Sequence, residues 1–307
     1  MSNGDKGISR HFTRLLGPRA VAAPHTLADF RAQYDRIAAG YGEAPRDMQV
    51  EHANLGQVKG EWLRVAETQP HRLVFYLHGG GYIAGSPESH RPLVARLCKS
   101  AASAALTLRY RLAPEFPFPA ALRDVVDAYR FLIGKTYPPS AIVFAGDGSG
   151  GGLALAGLLA IRNAGLPLPA ACVAMSPWAD LSLSGWSMLN NAPTDNVLSW
   201  PLLFASARHY LQNSQAWDVF ASPVFGTFRD MPPIMVHAGS LELLRDDASR
   251  IGGLAAAANR PISVEIYDGM QHVFQGNPTL SEAGVSLTRM GQFIRGKTPE
   301  NAQALAT

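Results

Sequence analysis

The chain has 307 residues, 47% of them hydrophobic, with 27 basic against 24 acidic side chains and a net charge of +3. That is enough apolar material for one large α/β domain or two smaller ones. The arginines are scattered and no nucleic-acid-binding motif is present, so nucleic acid is excluded as the expected partner despite a sequence pI near 8.9. No apolar run approaches the roughly 18 residues of a membrane span, and "MSNGDKGISRHFTRLLGPRA" has no apolar secretion core. A cytoplasmic protein without stable membrane insertion is expected. Cys98 and Cys172 lie in apolar surroundings without a CxxC pattern, as buried thiols in a reducing compartment do.

"LADFRAQYDRIAAGYG" alternates apolar and charged positions at helical spacing, and residues 1–45 are expected to be helical and to pack on the rest. "DMQVEHANLG" and "VKGEWLRVAE" read as paired strands. From "RLVFYL" onward strand and helix alternate. "AALTLRY", "AIVFAG", "AACVAMS", "PPIMVHAG" and "ISVEIYDG" are strands. "PLVARLCKSA", "PAALRDVVDAYRFLIG", "GGLALAGLLAIRNAG", "RDDASRIGGLAAAANR" and "SEAGVSLTRMGQFIRG" are helices. Such alternation means a mostly parallel sheet with helices on both faces. About 182–215 the rhythm breaks in an aromatic-rich stretch, read as helices inserted above the sheet within a domain spanning 46–307.

Ligands of such sheets bind beyond the carboxyl ends of the strands. Three places there carry reactive groups, the third split between two loops. "HGGGY", His78 to Tyr82, brings bare backbone N–H groups to a strand end, which suits an oxyanion. A lone glycine triplet is more often a flexible turn; its place after a strand argues otherwise. "AGDGSGGG", Ala145 to Gly152, stands between strand and helix like the elbow G-x-S-x-G, with Gly148 at the centre and Ser149 one place late. The loops after the last two strands offer Glu242 in "GSLELLRDD" and His272 in "YDGMQHVF". Singly, each would be an ordinary polar loop residue. Elbow, acid and histidine at strand ends in that chain order form the triad order of an α/β-hydrolase. The nine histidines show no HxH or HExxH spacing, so no metal is expected. Gly146, Gly148 and Gly151 fit G-x-G-x-x-G, a weak nucleotide signal this late in the chain.

The pattern resembles the bacterial hormone-sensitive-lipase-like esterases of the α/β-hydrolase fold, over residues 30 to 297. "HGGGYIAGS" looks like that family's oxyanion motif. "YRLAPEFPFPAALRD" looks like the signature after the next strand, with Phe116 where histidine is common. "SPWADLSLSG", "ELLRD" and "GMQHVF" match further motifs, and "ELLRD" makes Asp246 a neighbour of the acid. "GDGSGGGLAL" fits the family elbow without a gap, placing Gly148 at the nucleophile position. The resemblance implies a serine esterase acting on short or medium acyl esters or lactones of small molecules, with no cofactor, and frequent dimers. It implies oxyanion donors from Gly79, Gly80 and Ser149, with Glu242 and His272 completing the machinery. A cap built from the N-terminal helices and the aromatic stretch implies an apolar pocket, for which Tyr82, Trp186, Phe204, Tyr210, Val273 and Phe274 are the candidates.

Gly148 leaves three readings. The parent protein has serine there and this chain is an inactivated variant; or the chain is a non-catalytic binder of small molecules, as the resemblance to plant gibberellin receptors of the superfamily allows; or Ser149 attacks. At an elbow the central residue projects its side chain, while the next residue offers its N–H and points elsewhere. That favours the first reading over the third. Retention of the oxyanion glycines, Glu242 and His272 favours it over the second.

Overall fold

The computed structural model describes residues 27–300. They begin with helix α1 (Leu27–Ala38), extended by a 3-10 turn to Tyr41. A hairpin follows, β1 (Gln49–Leu55) and β2 (Val58–Arg64). The chain then alternates through β3 (Gln69–Leu77), α2 (Pro87–Ala101), β4 (Ser103–Arg109), α3 (Ala120–Lys135), β5 (Ile142–Asp147), α4 (Ser149–Asn163) and β6 (Ala171–Met175). The short α5 (Ser187–Asn190) and α6 (Trp200–Leu211) interrupt the alternation. β7 (Ile234–Gly239), α7 (Arg245–Ala257), β8 (Ile262–Tyr267) and α8 (Ser281–Lys297) complete it. Of the expected N-terminal helical segment, residues 1–26 lie outside the described residues.

The eight strands among the described residues form one sheet in the order β1-β2-β4-β3-β5-β6-β7-β8. The pairs β1–β2 and β2–β4 are antiparallel, and every pair from β4 to β8 is parallel. Two-residue periodicity sets the layers. Leu73, Phe75 and Leu77 of β3, with Ile142 and Phe144 of β5, face the core under α3, α4 and α7. Val74 and Tyr76, with Val143 and Ala145, face the core under α2 and α8. Each large apolar side chain so buried contributes about 2 kcal/mol. Helix α4 is apolar nearly all round because almost every residue of it is buried. Helix α2 starts sharply because Ser86 and Ser89 form a reciprocal capping box, with Pro87 in the first turn.

The strand order reverses beside β3. The chain leaves β3 for β4 on one side and returns to β5 on the other. Such a switch point opens a crevice at the carboxyl ends of the two adjacent strands. The "HGGGY" loop follows β3 and the elbow follows β5, so the topology itself brings these two loops together. Helix α1 is pinned above them by Arg31, whose guanidinium donates to the Ile83 and Ala113 carbonyls (2.7 and 2.9 Å) and to Glu115.

Candidate active site

β5 ends at Asp147, and the chain turns through Gly148 at φ 52°, ψ −121° before α4 begins. Only glycine adopts that backbone without strain. Gly150 answers a different demand: a Cβ there would run into the Leu77 carbonyl, so the first turn of α4 can sit against β3 only without a side chain. The turn is tied down on both sides. The Gly148 N–H donates to the Met175 carbonyl (2.9 Å), and the Gly148 carbonyl accepts from Trp178 N–H (2.8 Å) and Gly152 N–H (3.1 Å).

A Cβ built on Gly148 lies 3.2 Å from His272 Nε2 and 3.6 Å from its Cε1. A side chain at this position would therefore point straight at the histidine. Ser149 is directed elsewhere. It is buried, its Oγ accepts from the Tyr82 N–H at 3.3 Å, and the Tyr110 hydroxyl lies beside it. The serine that stood one place late in the sequence is engaged with the oxyanion loop and not with the imidazole.

His272 Nδ1 donates to Glu242 Oε2 at 3.1 Å. Glu242 is fully buried in the turn after β7, and the Ser176 hydroxyl stands beside its carboxyl. Ser176 Oγ also accepts from the Val273 N–H (3.0 Å), which fixes the histidine loop. Burial raises the Glu242 carboxyl above its ordinary range, opposed by the hydrogen bond and charge of His272. At His272 burial acts downward, but Glu242's hydrogen bond and charge, aided by Asp195 and Asp147, outweigh it, so its basicity rises above the usual 6.5. Asp246, the neighbouring acid, turns away, accepting from the Ser187 N–H at 2.9 Å and pairing with Arg245.

In the "HGGGY" loop, one of the N–H groups expected to stand open is engaged. The Gly79 N–H is already used, donating to Asp147 Oδ1 at 3.1 Å. The N–H groups of Gly80 and Gly81, whose φ values of 117° and 64° both demand glycine, donate to no acceptor among the described residues, and both glycines line the cavity. Gly81 thus replaces Gly79 as an available donor. The loop is held from below. His78 Nδ1 donates to the Gly79 carbonyl (2.8 Å), Tyr110 donates to the His78 carbonyl (2.7 Å), and the two rings stack at 4.2 Å. Burial pushes His78 down to about 3, so it stays neutral. Asp147 receives the Tyr76 hydroxyl at 2.6 Å and faces His90 Nε2 at 3.3 Å. Burial alone would raise this carboxyl, but His90 and these hydrogen bonds hold it below its ordinary range.

A cavity of about 610 Å³ opens over Gly148 and His272. Val273 and Phe274 line it, as expected. The other pocket candidates do not. Trp186 is 74% exposed, and Phe204 sits on the outer face of α6, stacked on Trp200 at 4.9 Å. Helix α6 instead turns Leu203 and Ser206 to the cavity, because Trp200, Phe204 and Arg208 share the opposite face. Tyr82 and Tyr210 are buried behind the wall, stacked on each other at 3.8 Å. The residues missed are Phe30, Tyr34 and Tyr41 around α1, and Trp178 after β6. The spacing of Phe30 and Tyr34 in "LADFRAQYDRI" was the available signal for an inward helical face.

One class of enzyme places an elbow, an acid and a histidine in this order at successive strand ends, the α/β-hydrolases. The family model of the alpha/beta hydrolase fold matches residues 74–276. The chain belongs to that family and is an ester hydrolase by kind. It is 40% identical to an acetyl-hydrolase of Streptomyces hygroscopicus over 88% of this chain and 90% of that protein. It is 32% identical to an esterase of Acinetobacter venetianus, with 92% and 95% covered. Among solved structures, an esterase from the bacterial hormone-sensitive lipase family superposes with a TM-score of 0.89 at 36% identity, covering 95% of this chain and 99% of that one. No helix among the described residues is long and apolar enough to cross a membrane.

Proposed function

We propose that this chain carries the complete site of an acyl-enzyme carboxylesterase except its nucleophile, and that its parent has serine at position 148. The observation that carries the reading is the direction of a side chain at Gly148, aimed at His272 Nε2 from 3.2 Å. In the parent, the serine attacks the ester carbonyl and His272 takes its proton. The oxyanion is held by the N–H groups of Gly80, Gly81 and Ser149. His272 then protonates the leaving alcohol, and water repeats the sequence on the acyl-enzyme. Glu242 orients the imidazole and stabilises its cation. The mostly apolar cavity supports short or medium acyl esters of small molecules as substrates. The two buried free thiols support a reducing, cytoplasmic setting.

With glycine at 148 the chain binds the ester and turns it over slowly. Loss of a nucleophile of this kind lowers kcat on the order of 10⁶-fold, about 8 kcal/mol. The test is hydrolysis of a short-chain p-nitrophenyl ester by this chain and by Gly148→Ser. A gain of several orders of magnitude is expected. No large gain, or specific ligand binding without turnover even in Gly148→Ser, would sink the esterase reading in favour of a binder. Fast hydrolysis by the chain as it stands, abolished by Ser149→Ala, would give the attack to Ser149.

A further inference from the structure

One cavity wall and the catalytic acid hang on the same carboxylate. Asp195 is 9% exposed. Its Oδ1 accepts from the backbone N–H groups of Val197 and Leu198, each at 2.8 Å. Both residues line the cavity. Its Oδ2 accepts from the Leu243 N–H at 2.8 Å, the residue directly after Glu242. Three backbone donors on one buried carboxylate make a strong, geometrically defined node.

The neighbours of Asp195 close the grip. Asn191 Nδ2 donates to the carbonyls of Ser240 (2.9 Å) and Glu242 itself (2.7 Å). The Thr194 hydroxyl donates to the Leu241 carbonyl at 3.2 Å. On the other side, Gln271, which precedes His272, donates to the Thr194 carbonyl (2.9 Å) and accepts from the Asn196 N–H (3.0 Å). Residues 191–196 therefore clasp the backbone around Glu242 and the backbone beside His272. The Glu242 side chain is held by His272 and the neighbouring Ser176 hydroxyl, and its backbone position is set by how its loop is held.

We propose that Asp195 is a positioning residue for the ester hydrolysis inferred above, locking the Glu242 loop in register with the Val197–Leu198 wall so that filling of the cavity is transmitted to the Glu242–His272 pair. The proposal rests on that ester-hydrolase reading. Substrate bulk pressed against Val197 and Leu198 steadies the Asp195 Oδ1 bonds, and Oδ2 passes the same restraint to Leu243. Binding energy from a part of the substrate remote from the carbonyl then appears in kcat and not only in KM. The charged groups facing His272 are Glu242, Asp195 and Asp147, and those facing Glu242 are His272 and Asp195. Removing the Asp195 charge therefore also takes away part of what keeps the imidazole protonated.

Asp195→Asn separates these effects. In the Gly148→Ser protein it is expected to lower kcat about tenfold with KM within about twofold, and to erase any kcat advantage of a p-nitrophenyl hexanoate over the acetate. In the chain as it stands, the same substitution is expected to move the His272 midpoint, followed by imidazole NMR titration, to lower pH. A raised KM at unchanged kcat would reduce Asp195 to a shaper of the pocket and overturn the proposal. So would an unmoved His272 midpoint. The titration needs no turnover, so it decides the matter even where Gly148→Ser hydrolyses neither ester, an outcome that sinks the esterase reading by itself. Gln271→Ala covers the case of a misfolded Asp195 variant: it removes only the clasp to the histidine loop. It is expected to lower kcat severalfold at constant KM, and an unchanged kcat overturns the coupling.

Discussion

Glu242 and His272 stand 3.1 Å apart beyond β7 and β8, and Asp147 and His90 stand 3.3 Å apart beneath the loop that follows β3. Both pairs are a carboxylate and an imidazole, and each gives one member to the cavity lining, Asp147 and His272, yet their surroundings differ. His90 is fully buried, with Nδ1 against the Ser86 carbonyl (3.1 Å) and the Ser89 hydroxyl (2.9 Å), and Nε2 against Asp147. Neither of its nitrogens is free to meet a substrate. His272 leaves Nε2 open toward the position of a residue-148 side chain. Asp147, with a tyrosine hydroxyl, an N–H and an imidazole around it, is held below its ordinary range, whereas burial lifts Glu242 above it. The first pair keeps a fixed charge under the "HGGGY" loop. The second balances a charge that appears only when His272 takes a proton. What separates the two pairs is what the second nitrogen of the histidine faces.

The sharpest way to break this contrast is to delete each histidine in the Gly148→Ser protein. His272→Ala is expected to lower kcat on the order of 10⁶-fold, and His90→Gln on the order of 10-fold to 10²-fold, since it acts only through Asp147. Equal losses in steady-state kinetics would erase the distinction. Asp147→Asn comes next: it loosens the bond to the Gly79 N–H, and kcat is expected to fall on the order of 10² with little change in KM, as for loss of one oxyanion donor. A change confined to KM would mean that the loop keeps its shape unaided.

The pH profile sharpens the same comparison. The base must be neutral to act, and His272 holds its proton to higher pH than an ordinary imidazole. Activity of the Gly148→Ser protein is therefore expected to fall as pH drops through a midpoint above the usual 6.5, read from kcat/KM against pH. A limb below that value would contradict the upward shift. The smallest effect concerns the elbow itself. Gly148→Ser puts a side chain at φ 52° with its Cβ 3.2 Å from His272. Thermal unfolding is expected to show a loss of about 1 kcal/mol. A gain would argue that the turn carries no strain.

The elbow, the acid and the histidine were legible because each lies in a short motif next to a strand. Local backbone geometry there nearly dictates which way the residue faces. The register of "GDGSGGGLAL" alone separates Gly148 from Ser149, and the structure turns Ser149 toward Tyr82 as that register requires. Gly79 looks like a donor in sequence because three consecutive glycines look alike there. What distinguishes them is a hydrogen bond to Asp147, 68 residues away. In sequence, Trp186 and Phe204 suggest pocket residues because they are aromatic and stand in the insertion. Composition says nothing of which face of α6 meets the sheet, and packing turned Leu203 and Ser206 inward instead.

The alternation of strand and helix, the chain order of the loops that carry Gly148, Glu242 and His272, and the glycine at 148 itself are written in the sequence. These depend on periodicity and on glycines at sharp turns, properties of neighbouring residues. Only the tertiary structure decided which N–H groups remain open, which aromatics face the cavity, and that Asp195 joins a cavity wall to the Glu242 loop. Those depend on hydrogen bonds and contacts between segments tens of residues apart, which form when the strand order reverses beside β3 and brings the loops to one crevice.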